Sequence, residues 1–316
     1  MRRRHLVGVA VAAYRGDRQI YANGFGFADL RTERRVAAST VFRYGSLTKS
    51  YTAAAVLSLV RQHALNLNDP VTRFFPSLVN LRAVTVADLL EHRSGLPQSR
   101  DRSEFSYGSA GISHSAALLA RLSRLRLTGP PGRRWDYNNL NYLVLGMVVE
   151  RVSHRTYEQY LRTALLEPLA LRSISIRADD ANGVARGYDC SHSTPREMPL
   201  EREFPFSAGG LSGDVVDATT WYAALAFGSL HARIGAELFT PRAAIGHDRY
   251  YGYGQFVDRS PEARVWHTGF VGGFSAAELI APGRRLSVVV LSNCSHYDAM
   301  PLAAALLDVF TLTPSR

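Results

Sequence analysis

Lysine is almost absent from this chain: of 37 Lys plus Arg residues, Lys49 is the only lysine. Cysteine is nearly as scarce. Two residues, Cys190 and Cys294, cannot form the disulfide framework of a small secreted scaffold in a chain of 316 residues, and they do not fix its redox compartment. No run of 18 apolar residues occurs, which excludes a transmembrane helix by hydropathy. Gly 25 and Pro 14 exclude a fibrous or Pro-rich chain. Ten histidines are present, yet there is no H-E-x-x-H and no Cys/His cluster, so a metal site is not expected. Gly24-Phe25-Gly26 lacks the third glycine of a dinucleotide fingerprint, and G-x-S-x-G is missing, which argues against an α/β-hydrolase. No cofactor is expected.

What is present suits a folded protein. Apolar residues make up 46% and charged residues 20%, enough for a sizeable core and against general disorder. The net charge of +10 invites a nucleic-acid reading. The distribution opposes it. Basic pairs such as Arg34-Arg35, Arg133-Arg134 and Arg284-Arg285 are scattered among acids, with no Arg-rich helix and no interleaved aromatics. No nucleic-acid partner and no stable membrane anchor are expected.

Guanidinium serves wherever a positive charge merely has to be positive, but it cannot act as a neutral amine. The one retained lysine is therefore a candidate functional amine. It stands in Tyr44-Gly45-Ser46-Leu47-Thr48-Lys49, ahead of an Ala-rich apolar helical run. Positions i and i+3 of a helix share a face, about 5–6 Å apart at Cβ. A neutral amine at Lys49 can take the Ser46 proton, and the helix N-terminus favours negative charge developing there. The plain alternative makes Ser46 a helix cap.

Residues 131–150 read PGRRWDYNNLNYLVLGMVVE, a turn followed by an apolar helix from near Leu140. Tyr137 and Asn139 at its entrance can point into one cleft, the phenol relaying a proton and the amide orienting a carbonyl. The alternative is that Asn139 caps the helix and Tyr137 packs beside it. Residues 264–280 read as two strands joined by a Gly-rich turn, with His267-Thr268-Gly269 closing the first. Glycine there admits a ligand to the strand edge, and the next backbone N–H can form half of an oxyanion hole. His267 is also compatible with an ordinary strand-end role, or with a Ser/His/Asp triad, which ranks lower.

Ser46-x-x-Lys49, Tyr137-x-Asn139 and His267-Thr268-Gly269, in this order, resemble the serine β-lactamase and penicillin-binding-protein superfamily, closest to the class C β-lactamase-related hydrolases. Asn23–Asp29, Glu91-His92-Arg93-Ser94-Gly95-Leu96-Pro97, Glu167-Pro168-Leu169 and Ser207–Leu211 agree with it. The match covers roughly residues 6–310.

The resemblance implies an α/β (α+β) fold with a central antiparallel sheet and an inserted helical domain. Residues 1–45 and 206–316 would form the sheet domain and 46–205 the mainly helical part, with the active site between them. A hairpin over 5–14 and 18–27, strands near 250–257, 264–268, 273–280 and 286–293, and a helix over 299–310 fit this. By resemblance Ser46 is the nucleophile, Lys49 and Tyr137 share the acid–base work, and which takes the serine proton stays open. Asn139, His267, Thr268 and Gly269 would bind substrate, and the N–H groups of Ser46 and Phe270 would form the oxyanion hole. The expected partner is a small-molecule or short-peptide ester or amide, hydrolysed through an acyl-enzyme. Acyl transfer, or an idle relative that only binds, are the alternatives.

Two departures stand out. The third motif usually begins with Lys; His267 is near neutral at pH 7, which weakens β-lactam or D-peptide recognition. Relatives also carry a helix before the first strand, which this sequence does not supply. Met1–Arg4 followed by Leu6–Ala13 has the outline of a leader, but cleavage near Ala13 would remove the first strand, so it is read as strand. Localisation and oligomeric state stay open.

Overall fold

The computed structural model describes residues 6–98, 116–176, 183–199, 206–260 and 262–312. Met1–Arg4 and His5, the first position of the expected hairpin, lie outside them.

In chain order the strands and helices are β1 (Gly8–Arg15), β2 (Arg18–Asp29), β3 (Arg34–Arg35), β4 (Phe42–Arg43), α1 (Thr48–Arg61), α2 (Val71–Phe74), α3 (Val86–Leu90), α4 (Ala116–Arg124), α5 (Asn139–Ser153) and α6 (Tyr157–Leu161). There follow β5 (Tyr188–Asp189), β6 (Arg196–Glu197), α7 (Phe206–Gly209), β7 (Ser212–Gly213), α8 (Val215–Ala226), α9 (Ala236–Leu238), β8 (Ala243–Gly246), β9 (Arg249–Tyr251), β10 (Phe256–Asp258), β11 (Arg264–Val271), β12 (Phe274–Ala281), β13 (Leu286–Ser292), β14 (Cys294–Ser295) and α10 (Met300–Leu312).

A nine-stranded sheet in the order β3-β2-β1-β13-β12-β11-β10-β9-β8 forms the centre, and its pairings are antiparallel. The expected β-lactamase-like fold class holds. The central strands β1, β12 and β13 are apolar on both faces because both faces are covered. One face packs α10 through Val9, Val11, Leu279, Val288, Ala303 and Leu307. The other joins one continuous cluster with α1, α5 and α8, including Tyr51, Leu145, Trp221 and Val289. That continuity fixes α1, and the residues at its start, against the sheet.

One detail differs from the sequence reading, and a second goes beyond it. Residues 250–257 are two strands, β9 and β10, because Gly252-Tyr253-Gly254 turns the chain between them, with Gly254 at φ +75°. The cysteines do pair: Cys190 and Cys294, 104 positions apart, form a disulfide with Cα atoms 5.5 Å apart. β5 and β14 lie side by side in parallel and bring them together.

On its β11 side β10 reaches only the first part of that strand, Arg264–Trp266. The second part, His267–Val271, pairs with β12 alone and keeps its other edge for the residues that start α1.

Candidate active site

Ser46 occupies a single 3-10 turn, Gly45–Leu47, directly ahead of α1. Gly45 is left-handed at φ +55°, a conformation that costs glycine nothing, and it swings Ser46 out of line with the helix. A Cβ on Gly45 would meet Phe270 N at 2.8 Å, and one on Gly269 would meet Tyr44 O at 2.0 Å and Ser46 N at 3.3 Å. Two glycines thus let the turn and the free edge of β11 touch. The backbone N–H groups of Ser46 and Phe270 stand on the two sides of that seam.

Lys49 is fully buried on α1. Its Nζ lies 3.0 Å from Ser46 Oγ, 2.9 Å from Asn139 Oδ1 and 2.7 Å from Ala208 O. Desolvation pushes its pKa well below the usual lysine range, so the neutral amine is favoured. A neutral amine has two protons and one lone pair. Asn139 Oδ1 and Ala208 O can only accept, so they take the two protons. In that neutral form the lone pair would be left for the Ser46 hydroxyl, 3.0 Å away, to donate to.

Ala208 is held in place by α7, which is pinned between α1 and α5. Thr52 Oγ1 donates to Ser207 O at 2.6 Å, and Ser207 Oγ donates to Tyr142 O at 2.8 Å. A Cβ on Gly146 would meet Ser207 Oγ at 2.2 Å, so α5 needs glycine there.

Tyr137 precedes α5, and its hydroxyl lies near enough to Ser46 for that side chain to favour its ionised form. Burial raises its pKa above the ordinary tyrosine value, Ser46 opposing this in part. The phenol is therefore protonated at rest. Its ring centroid is 4.9 Å from Lys49 Nζ. Asn138, not Asn139, caps the helix: its Oδ1 accepts from Leu140 N at 2.9 Å. That frees the exposed Asn139 for Lys49 and the cleft.

His267 is placed differently from the sequence reading. The alternation of β11 turns its ring inward, 2% exposed, towards Phe256, Tyr137 and Tyr251. Nδ1 donates to Thr268 O at 2.6 Å, and Nε2 is 3.5 Å from the Tyr251 hydroxyl. Burial is the largest cause that lowers its pKa to about 3. It is neutral, with Nδ1 bonded to a backbone carbonyl and Nε2 facing the Tyr251 hydroxyl. Thr268 and Phe270 point to the opposite face of the strand, and Phe270 is 52% exposed beside the seam.

Sequence reasoning assigned no role to Tyr44, Ala208, Tyr251 or His92. Ala208 acts through a carbonyl, which no side-chain pattern reports. His92 was legible only as part of the Glu91–Pro97 turn. Among the described residues no group of three or more His, Cys, Asp or Glu could hold a metal ion. No helix among them is long and apolar enough to cross a membrane.

The sequence profile of the β-lactamase family matches residues 1–311. The chain belongs to the β-lactamase family. Penicillin-binding protein 4* of Bacillus subtilis is 27% identical over 323 residues, covering 94% of this chain and 71% of that protein. Protein flp of Staphylococcus aureus is 26% identical over 307 residues, covering 92% of this chain and 60% of its own length. The chain thus spans somewhat more than half of that relative. The octameric penicillin-binding protein homologue from Pyrococcus abyssi superposes with a TM-score of 0.84 at 26% identity, over 98% of this chain and 74% of that one. EstCE1, a hydrolase with promiscuous acyltransferase activity, shares the fold at a TM-score of 0.79 and 22% identity, over 93% of this chain and 90% of its own.

Proposed function

We propose that this chain is a serine hydrolase that cleaves a neutral ester or amide through an acyl-enzyme on Ser46. The observation that carries the reading is the contact between Lys49 Nζ and Ser46 Oγ, with the other two Nζ contacts made to obligate acceptors.

The steps follow from the resting protonation states. Ser46 Oγ attacks the substrate carbonyl while its proton passes to Lys49 Nζ. The oxyanion forms between the N–H groups of Ser46 and Phe270. Tyr137 gives its proton to the leaving oxygen or nitrogen as that bond breaks. The resulting phenolate and the Lys49 ammonium then neutralise each other by one proton transfer. Water repeats the sequence to release the acid. An alcohol or amine in place of water would give acyl transfer, and the promiscuous acyltransferase activity of EstCE1 supports keeping that outcome as a second reading.

The neutral His267 supports a substrate without a carboxylate at this position, since the third motif offers it no cation. Initial rates with p-nitrophenyl butyrate and with a carboxylate-bearing chromogenic cephalosporin test this. The ester is expected to be preferred by at least about a hundredfold in kcat/KM. Preference for the cephalosporin would overturn the substrate assignment.

A further inference from the structure

His92 has no part in the steps above, yet its surroundings are those of a working residue. It is 1% exposed and left-handed at φ 56°, a region that non-glycine residues seldom occupy. It ends the turn after α3, and that turn grips the strand-like segment bearing Tyr137. Asp136 N donates to His92 O at 2.8 Å, and Gln98 Nε2 donates to Tyr137 O at 2.7 Å. Asn138 Nδ2 donates to Leu96 O and Pro97 O, each at 2.9 Å.

The ring itself completes the grip. Asn138 N donates to His92 Nδ1 at 3.2 Å, and Asn141 Nδ2 stands 3.0 Å from the same atom. A backbone N–H can only donate, so Nδ1 is bare and the ring proton is on Nε2. That Nε2 has no hydrogen-bond partner among the described residues. Its ring instead lies against three tyrosines, with centroids 4.4 Å from Tyr137, 4.8 Å from Tyr251 and 5.0 Å from Tyr142. A buried N–H without an oxygen acceptor is costly, and an aromatic face is a weak substitute. The face becomes a strong acceptor when the phenol loses its proton and the ring carries the charge.

We propose that His92 is a positioning residue for acyl transfer: the contacts to its Nδ1 fix the tautomer, and its Nε2 proton stabilises the Tyr137 phenolate between release of its proton to the leaving group and its return from Lys49. The proposal rests on the acid role given to Tyr137 above. The other titratable groups around the ring are Lys49, whose pKa burial pushes well below the usual range, His267, lowered to about 3, and the two further tyrosines.

Two substitutions separate the functions of the ring. Asn Oδ1 overlays the position of Nδ1, so His92→Asn keeps the acceptor for Asn138 and loses the Nε2 proton. Gln Nε2 overlays the imidazole Nε2, so His92→Gln keeps the donor and loses the acceptor. His92→Asn is expected to lower kcat with p-nitrophenyl butyrate by about tenfold or more while KM holds within about twofold, and His92→Gln to recover most of that loss. A merely structural histidine gives the reverse order. An Asn variant as active as the wild type, or more active than the Gln variant, overturns the proposal.

Ring ¹⁵N chemical shifts of the wild-type protein supply a readout that needs neither variant folding nor turnover. The His92 signal is expected to be that of a neutral Nε2–H tautomer at pH 7. An Nδ1–H tautomer would contradict the proposal directly. Absence of an acyl-enzyme in the wild type would defeat the reading of Tyr137 instead, whatever the tautomer.

Discussion

Lys49 Nζ and Ser46 Oγ are 3.0 Å apart, and burial, not a neighbouring cation, pushes the lysine pKa well below its usual range. Every other positive side chain in this sequence is Arg. A guanidinium could keep the charge at this position but could never accept the serine proton.

Lys49→Arg is therefore expected to lower kcat by a factor of about a thousand or more, the scale of losing a general base next to the nucleophile. It should also lower the melting temperature, since a charge that cannot be neutralised replaces one that can. Turnover and differential scanning fluorimetry check the two halves. Turnover within about threefold of wild type would rule out Lys49 as the base.

The glycine seam places the N–H groups of Ser46 and Phe270 that the proposed mechanism uses as its oxyanion hole, so it tolerates no side chain. Gly269→Ala puts a Cβ 2.0 Å from Tyr44 O, backbone that cannot swing aside. The turn and β11 must separate, which pulls the N–H groups of Ser46 and Phe270 apart. The expected loss is about a hundredfold in kcat, comparable to removing one oxyanion donor, with β11 still paired to β12. Steady-state kinetics and circular dichroism would show whether activity falls without loss of fold.

The buried neutral histidines make the fold acid-sensitive. The pKa of His267 falls from 6.5 to about 3, so below 6.5 the unfolded chain binds a proton that the native chain refuses. Stability then drops as pH falls, by up to about 1.4 kcal/mol per pH unit, until about pH 3. The shift of His92 is in the same direction. His267→Asn should remove its share, so the fall in melting temperature between pH 7 and pH 4.5 should be smaller in the variant. An equal fall in both proteins would show that His267 titrates normally.

The Cys190–Cys294 bond closes a loop of 104 residues. In the chain-entropy account a loop near that length contributes about 4.7 kcal/mol by restricting the unfolded chain. Cys190→Ala/Cys294→Ala, or reduction of the oxidised protein, should lower the melting temperature by several degrees. Thiol titration in 6 M guanidinium, finding two free thiols in protein matured under oxidising conditions, would show that the bond does not form.

Much of the site could be read in the sequence because its signals are local. Ser46 and Lys49 are one helical turn apart, Tyr137 and Asn139 flank a helix start, and Gly269 announces a close approach. The β1–β2 hairpin and the β11–β13 meander are likewise short-range. The remainder depends on contacts distant in sequence. Ala208 offers Lys49 only a carbonyl, from 159 residues away. The disulfide needs β5 and β14 to meet. The inward turn of the His267 ring follows from which face of β11 is covered, and Asn138 rather than Asn139 takes the cap because its backbone is the extended one, at φ −146° and ψ 123°.

The central claim is that Ser46 carries an acyl group during turnover. Intact-mass analysis of the wild type and of Ser46→Ala, quenched shortly after mixing with p-nitrophenyl butyrate, tests it most directly. A nitrophenolate burst and one butyryl adduct are expected in the wild type, with neither in Ser46→Ala. Ester turnover in the wild type with no adduct, or an equal adduct in Ser46→Ala, would contradict it.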